Sequence, residues 1–282
     1  MGPRARLILL YALIVVAAAA QSALAQTPPA ISRCLAIADT LSPLMQVAYR
    51  PSATGGRVAQ LGPQEVKISY VGHSTYLIES AAGIRIATDY NGYAGLGALP
   101  QVVTMNHAHE SHFTDFPDPE IPHVLRGWNP DGGYADHALT VGDVYIRNVP
   151  TNIRTWAGGG TERYGNSIFI FEVANLCIGH LGHLHHELNN EQLGQIGHLD
   201  IVMVPVDGSY TLDLPGMINV MKELRARLIL PMHYFSGASL ARFIDGLRGE
   251  NWASRIYHSN TIVLSQDAMP QTPEILVLPP SR

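Results

Sequence analysis

The sequence predicts an α/β fold, α+β in the order of its elements, arranged as a four-layer αββα sandwich. Three observations predict it. Apolar runs of strand length dominate residues 65 to 180, and segments of helical period alternate with strands only after that. Apolar residues make up 46% of the chain and charged residues 15%, the balance of a well-packed globular domain. No sharp linker follows residue 64, so residues 65–282 read as one domain.

The elements follow in order. Residues 1–25 read as a signal peptide: Arg4 and Arg6 form a short basic region, Leu7 to Ala20 is apolar but short, and Ala23-Leu24-Ala25 fits a small-x-small cleavage pattern. This predicts a periplasmic or secreted protein without stable membrane insertion after cleavage. Cleavage removes two cations and no acids, which moves the net charge from −5 to −7. A mildly acidic chain without a Lys/Arg run offers no electrostatic footprint for nucleic acid, so the expected partner is a small-molecule substrate. Residues 26–64 form an N-terminal extension with a helix predicted near Ile31 to Tyr49. Val66 to Val71 alternates as a half-buried strand does, Thr75 to Ile78 continues the extended character, and Ile84 to Thr88 is a third strand ending at Asp89. Gln101 to Met105 is an apolar strand running into Asn106-His107. Leu139 to Asn148, Ser167 to Val173 and Leu176 to Gly179 read as further strands. Helices are predicted over Asn189 to Ile196, Met217 to Ala226 and Ser239 to Leu247, with buried strands at Asp200 to Pro205 and Leu228 to Leu230. Two cysteines remain, Cys34 and Cys177; an exported protein permits a bridge, while within the apolar run around Cys177 a buried free thiol is the commoner outcome.

The chemistry lies in the thirteen histidines. His107, His109 and His112 fall within six residues, directly after a buried strand. A loop leaving a strand end turns several side chains toward one point, and imidazoles suit zinc and other borderline divalent metals. His180, His183, His185 and His186 cluster at a second strand exit, and His233 follows a third. Three histidine-bearing strand exits from distant parts of the chain point to one metal centre. No Gly-x-Ser-x-Gly occurs, and the Gly-rich stretch at Gly158-Gly159-Gly160 lacks a phosphate-loop lysine.

His107-Ala108-His109-Glu110-Ser111-His112 resembles the HxHxDH motif of the metallo-β-lactamase superfamily. Tyr70-Val71-Gly72-His73-Ser74, Thr88-Asp89-Tyr90, His180-Leu181-Gly182-His183, Val204 to Gly208 and Pro231-Met232-His233-Tyr234 resemble, in order, segments of its branch that includes ascorbate-6-phosphate lactonases and, more distantly, N-acyl-phosphatidylethanolamine phospholipases D. The resemblance implies a metallo-β-lactamase-type sandwich and a hydrolase. It also marks three departures: Ser111 stands in place of a second-metal Asp, His183 in place of a bridging Asp, and Ile153 in place of a first-metal His. A neutral imidazole donates one lone pair to one metal, so two dications lose their carboxylate bridge. The expectation is therefore one zinc ion, with two as the alternative, on ligands drawn from His107, His109, His112, His183 and His233. Glu110, Asp207 and His180 are the candidate acid–base groups, and Asp89 is the candidate support for a ligand histidine. His73 either lines the pocket or satisfies a strand end. The expected reaction is attack of a metal-activated water on a small ester, lactone or phosphodiester. The alternative is a metal-binding protein with little or no catalysis on the same scaffold.

Overall fold

A computed structural model of the chain describes residues 32–35, 60–155 and 159–281. The predicted signal peptide and most of the N-terminal extension with its helix lie outside these residues. Among the described residues, fourteen strands form two sheets. The first sheet holds β1 (Val66–Gly72), β2 (Thr75–Ser80), β3 (Arg85–Ala87), β4 (Val102–Met105), β5 (His123–Arg126) and β13 (Thr261–Leu264), in the order β13-β1-β2-β3-β4-β5. The second holds β6 (Ala138–Val141), β7 (Val144–Arg154), β8 (Thr161–Val173), β9 (Leu176–His180), β10 (Ile201–Pro205), β11 (Leu228–Met232), β12 (Ala253–Ile256) and β14 (Glu274–Val277). Its order is β12-β14-β11-β10-β9-β8-β7-β6. Three α-helices connect its later strands: α1 (Asn190–Ile196), α2 (Leu214–Leu224) and α3 (Gly237–Arg248).

The period-2 rule explains how the layers stack. Val66, Ile68 and Tyr70 of β1 and Tyr76 and Ile78 of β2 point to one side, where they meet Phe169, Phe171, Ile201, Met203, Leu228 and Leu230 of the second sheet. The alternate residues of those same strands, Ile168, Ile170, Val202, Val204 and Ile229, face the other way and pack beneath Met217, Val220 and Met221 of α2 and Phe243 of α3. The far face of the first sheet is covered by loop residues, with Tyr90, Ala94 and Ile121 packed on Leu77, Val103 and Met105.

The predicted strand over Leu139 to Asn148 is instead a hairpin. Gly142 adopts φ +57 and lets β6 turn into β7. The strand predicted at Ser167 starts six residues earlier, because Thr161 to Asn166 pairs with the end of β7. Asp213 caps α2 by accepting from Gly216 N, with Pro215 in the first turn, so this helix begins before its apolar period does. Cys34 and Cys177 form a disulfide, which fastens the segment 32–35 to β9.

One consequence of this topology sets up the site. Strands β9, β10 and β11 are mutually parallel, and β4 is parallel to its neighbours β3 and β5. The loops leaving β4, β9, β10 and β11 carry His107–His112, His180–His186, Asp207 and His233, and these side chains meet at one edge of the sandwich.

Candidate metal centre

His112 is fully buried, and its Nδ1 lies 2.6 Å from Asp89 Oδ2 and 3.1 Å from Ser74 Oγ. A carboxylate only accepts, so Nδ1 carries the proton and Nε2 presents a lone pair. That Nε2 lies 3.1 Å from His233 Nε2. His233 is also fully buried, and its Nδ1 approaches Asp207 Oδ1 at 3.0 Å, close as an ion-pair contact but too bent for a hydrogen bond. A second pair repeats the pattern: His109 Nε2 lies 3.1 Å from His183 Nε2. Ser111 Oγ reaches both His109 Nδ1 at 2.6 Å and His73 Nε2 at 2.8 Å.

Four of these residues, His73, His109, His112 and His233, each offer a ligand atom within 4.8 Å of the other three. The edge of a tetrahedral zinc site with nitrogen ligands is roughly 3.3 Å. The 3.1 Å pairs are close to that edge, and the four-residue set is somewhat wider. Facing Nε2 atoms repel unless a proton or a cation stands between them, and this donor set of borderline nitrogens fits zinc.

His73, His109, His112 and His183 are held in the neutral form that a metal needs. Burial, reinforced by the neighbouring His233 imidazole, lowers His73 to about 4. Burial and then His233 lower His109 as well. Burial holds His112 and His183 well below the ordinary imidazole range, with the adjacent imidazoles adding to it. Asp207 runs the other way. Burial alone raises it, but the contact with His233 and hydrogen bonds from Thr211 Oγ1 and Ser209 N outweigh that and hold it well below the usual carboxylate range. Burial lifts Asp89 above that range, opposed by His180 and by the Asn106 amide at 2.8 Å.

Backbone strain marks the same place. His73, Asp89 and His233 all adopt φ between 43 and 53, a left-handed conformation that non-glycine residues take at a cost. A hydrogen bond of 2.7 Å from His233 N to His73 O locks two of them together.

The structure thus brings together His109, His112, His183 and His233 of the expected ligand set. It adds His73, which the sequence left between two roles; its position in the turn between β1 and β2, beside Gly72, was the available signal. His107 stands apart. Its Nδ1 lies 2.6 Å from Glu162 Oε1, and its ring stacks on Trp128 at 4.9 Å. Glu162 was not anticipated, because it arrives from a strand 55 residues away and no motif surrounds it. Asp89 supports His112, as expected of it. Of the acid–base candidates, Glu110 lines the cavity in front of the cluster. Asp207 sits behind His233. His180 is buried with both ring nitrogens engaged, Nε2 with Ser74 O at 2.9 Å and Nδ1 with Gly182 N at 3.1 Å. Ile153 fills its place without a donor and is buried against the cavity.

The family model of the beta-lactamase superfamily domain matches residues 67–233, which run from β1 to the end of β11 and include every histidine of the cluster. The chain belongs to this superfamily. A metal-dependent hydrolase of Nanoarchaeum equitans is 24% identical over 189 residues, covering 60% of this chain and 84% of its own. One from Thermoplasma volcanium is 24% identical over 210 residues, covering 68% and 93%. Among solved structures, a metallo-β-lactamase superfamily protein of Thermotoga maritima matches with a TM-score of 0.54 at 26% identity, over 75% of this chain and 98% of its own. A metallo hydrolase from Ignicoccus hospitalis shares the fold at a TM-score of 0.51 and 19% identity, over 71% and 99%. This superfamily member departs from the HxHxDH pattern at Ser111, and its centre among the described residues is built from imidazoles with carboxylates behind them.

Proposed function

We propose that the chain is an exported zinc-dependent hydrolase acting on a small ester, lactone or phosphodiester. The observation that carries the proposal is the pair of facing Nε2 contacts, His112–His233 and His109–His183, behind a cavity of about 1080 Å³ that His109 lines. His109, His112 and His233 hold the metal, with His73 and His183 in reach to complete it. A zinc ion there supplies Lewis acidity and an acidified water. Asp89 fixes the ring of His112 and which of its nitrogens faces inward, and Asp207 places its charge 3.0 Å behind His233 Nδ1. Ser111 aligns His73 with His109. Glu110 is assigned the proton of the attacking water, since Asp207 and His180 are committed elsewhere. The Cys34–Cys177 disulfide supports export to an oxidising compartment.

Hydrolysis of a panel of lactones, aryl esters and bis-aryl phosphodiesters, with and without chelator, tests the reading. Chelator-sensitive turnover abolished by His109→Ala is the expected result. Tight zinc binding with no turnover anywhere in the panel sinks it. That outcome leaves a metal-binding protein on a hydrolase scaffold, the reading favoured by Ser111, Ile153 and His183 at the altered ligand positions.

A further inference from the structure

The cavity in front of the histidines is walled by apolar rings rather than by cations. Phe235 is 64% exposed and Tyr210 52% exposed, and their rings meet edge-on at 5.6 Å. Phe235 also lies 5.3 Å from the His233 ring and 5.7 Å from the His73 ring. Phe113 and Ile153 form the opposite apolar lining. Large aromatic rings held in water beside a reactive centre mark a surface shaped for an apolar ligand.

These rings are positioned by the site itself. Asp207 accepts from the backbone N–H of Tyr210 at 2.5 Å while it faces His233 at 3.0 Å. Phe235 follows His233 by two residues. Arg154 braces the same loop, with Nη2 donating to Thr211 O at 2.8 Å and Nη1 to Ser209 O at 3.4 Å. Arg154 is the one Lys or Arg among the described lining residues, and these bonds tie two of its five N–H donors to that loop. The charged groups that otherwise face the cavity are Glu110 and Glu162, both acidic. Two buried carboxylates, Asp89 and Asp207, already stand behind the ligands to offset a dication. A phosphate group entering this cavity meets two acidic side chains and a single guanidinium already bonded to the loop, whereas phosphate sites use Arg or Lys forks.

We infer that the substrate is a neutral carboxylic ester or lactone carrying an aryl or alkyl group, with that group against Phe235, Tyr210, Phe113 and Ile153 and its carbonyl at the histidines. The inference rests on the hydrolase reading and narrows its substrate class.

The zinc-loaded full chain is assayed with p-nitrophenyl acetate, p-nitrophenyl hexanoate and bis(p-nitrophenyl) phosphate. In parallel, calorimetry measures binding of hexananilide, a neutral amide analogue, to the wild type and to Phe235→Ala. The expected kcat/KM rises at least about 10-fold from acetate to hexanoate, since each buried methylene contributes up to about fourfold. Phe235→Ala is expected to abolish most of that gain, lowering hexanoate kcat/KM by a larger factor than acetate kcat/KM, with zinc content and thermal midpoint unchanged. A flat chain-length series, or a phosphodiester preferred over both esters, overturns the inference. If none of the three substrates is turned over, the hydrolase reading falls and the calorimetry still decides: hexananilide binding weakened by Phe235→Ala supports the apolar subsite, and absent binding overturns it.

Discussion

At the scale of single residues, the site separates ligands from the groups that hold them. Asp89 is buried, and its contact to His112 Nδ1 selects which nitrogen faces the centre. Asp89→Asn keeps the shape but loses the charge that favours this tautomer. Zinc affinity is expected to fall about 10- to 100-fold, measured by competition with a chromogenic chelator; unchanged affinity would remove Asp89 from the centre. Glu110 has a different signature. Glu110→Gln is expected to lower kcat by about 10²- to 10⁴-fold with zinc content and KM preserved. The imidazoles also set a pH dependence. His112, His180 and His183 are lowered first by burial, so the folded chain stays unprotonated there while the unfolded chain takes up protons as pH falls through about 6.5. Stability of the metal-free protein therefore drops from about pH 6.5 toward 5, by up to about 1.4 kcal/mol per pH unit for each such group. His198, raised by its hydrogen bond to Asp200, opposes this as one imidazole against six, since His73, His109 and His185 are lowered as well. Urea midpoints of chelated protein at pH 7.5, 6.5 and 5.5 check it; a midpoint flat or rising toward acid contradicts it.

At the scale of elements, the strand exits are the functional units, and their tight packing is a prediction in itself. Gly182 follows β9 at φ +59, and a Cβ there would lie 2.2 Å from Asn106 Nδ2 and 2.4 Å from Asn166 Oδ1. Those two amides tie the His107–His112 loop to the His183 loop through adjacent residues of β8, since Asn106 Oδ1 accepts from Ser167 N and Asn166 Oδ1 accepts from His183 N. Gly182→Ala is expected to cost about 2 kcal/mol or more, from the left-handed conformation and the displaced hydrogen bonds together. A denaturant midpoint within error of wild type would show that the loops are not coupled this way. The same exits explain what the sequence disclosed. Apolar runs that end in histidine, at Met105, Gly179 and Met232, made β4, β9 and β11 legible together with the residues they deliver. Short exposed strands were not legible: all four residues of β12 are exposed, and β5 alternates weakly, so neither carries a burial pattern. Glu162 and the turning of His107 toward it depend on register between β8 and the β4 exit, a long-range fact that no local pattern encodes. His73 was ambiguous for a related reason, because the partners that draw it inward, Ser111 and His233, are supplied by other strands.

At the scale of the whole molecule, the Cys34–Cys177 bridge joins positions 143 residues apart and closes nearly half the chain into one loop. It works with polar contacts made by the same short segment. Arg147, largely buried, donates to Ser32 Oγ at 3.1 Å and to the carbonyls of Gln195 and Ile196 at 2.6 Å, and His198 N donates to Cys34 O at 2.8 Å. The segment therefore clamps the end of α1 and the start of β10 against β7 and β9, on the opposite side of β9 from its histidine-bearing exit. Chain entropy gives a loop of this length a ceiling of about 5 kcal/mol, and measured bridges more often contribute about 2 to 4. Replacing both cysteines by alanine is expected to lower the unfolding free energy by about 2 to 4 kcal/mol in urea, with zinc affinity unchanged because the bridge does not touch the centre. Reduction of the wild type should reproduce the shift, and the double variant should show no further response to reductant. Intact-mass analysis ties the bridge to export: protein recovered from the periplasm is expected to begin near Gln26 and to be lighter by two hydrogens than its reduced form. Equal stability with and without the bridge would mean that the 32–35 segment is held by Arg147 and its neighbours alone.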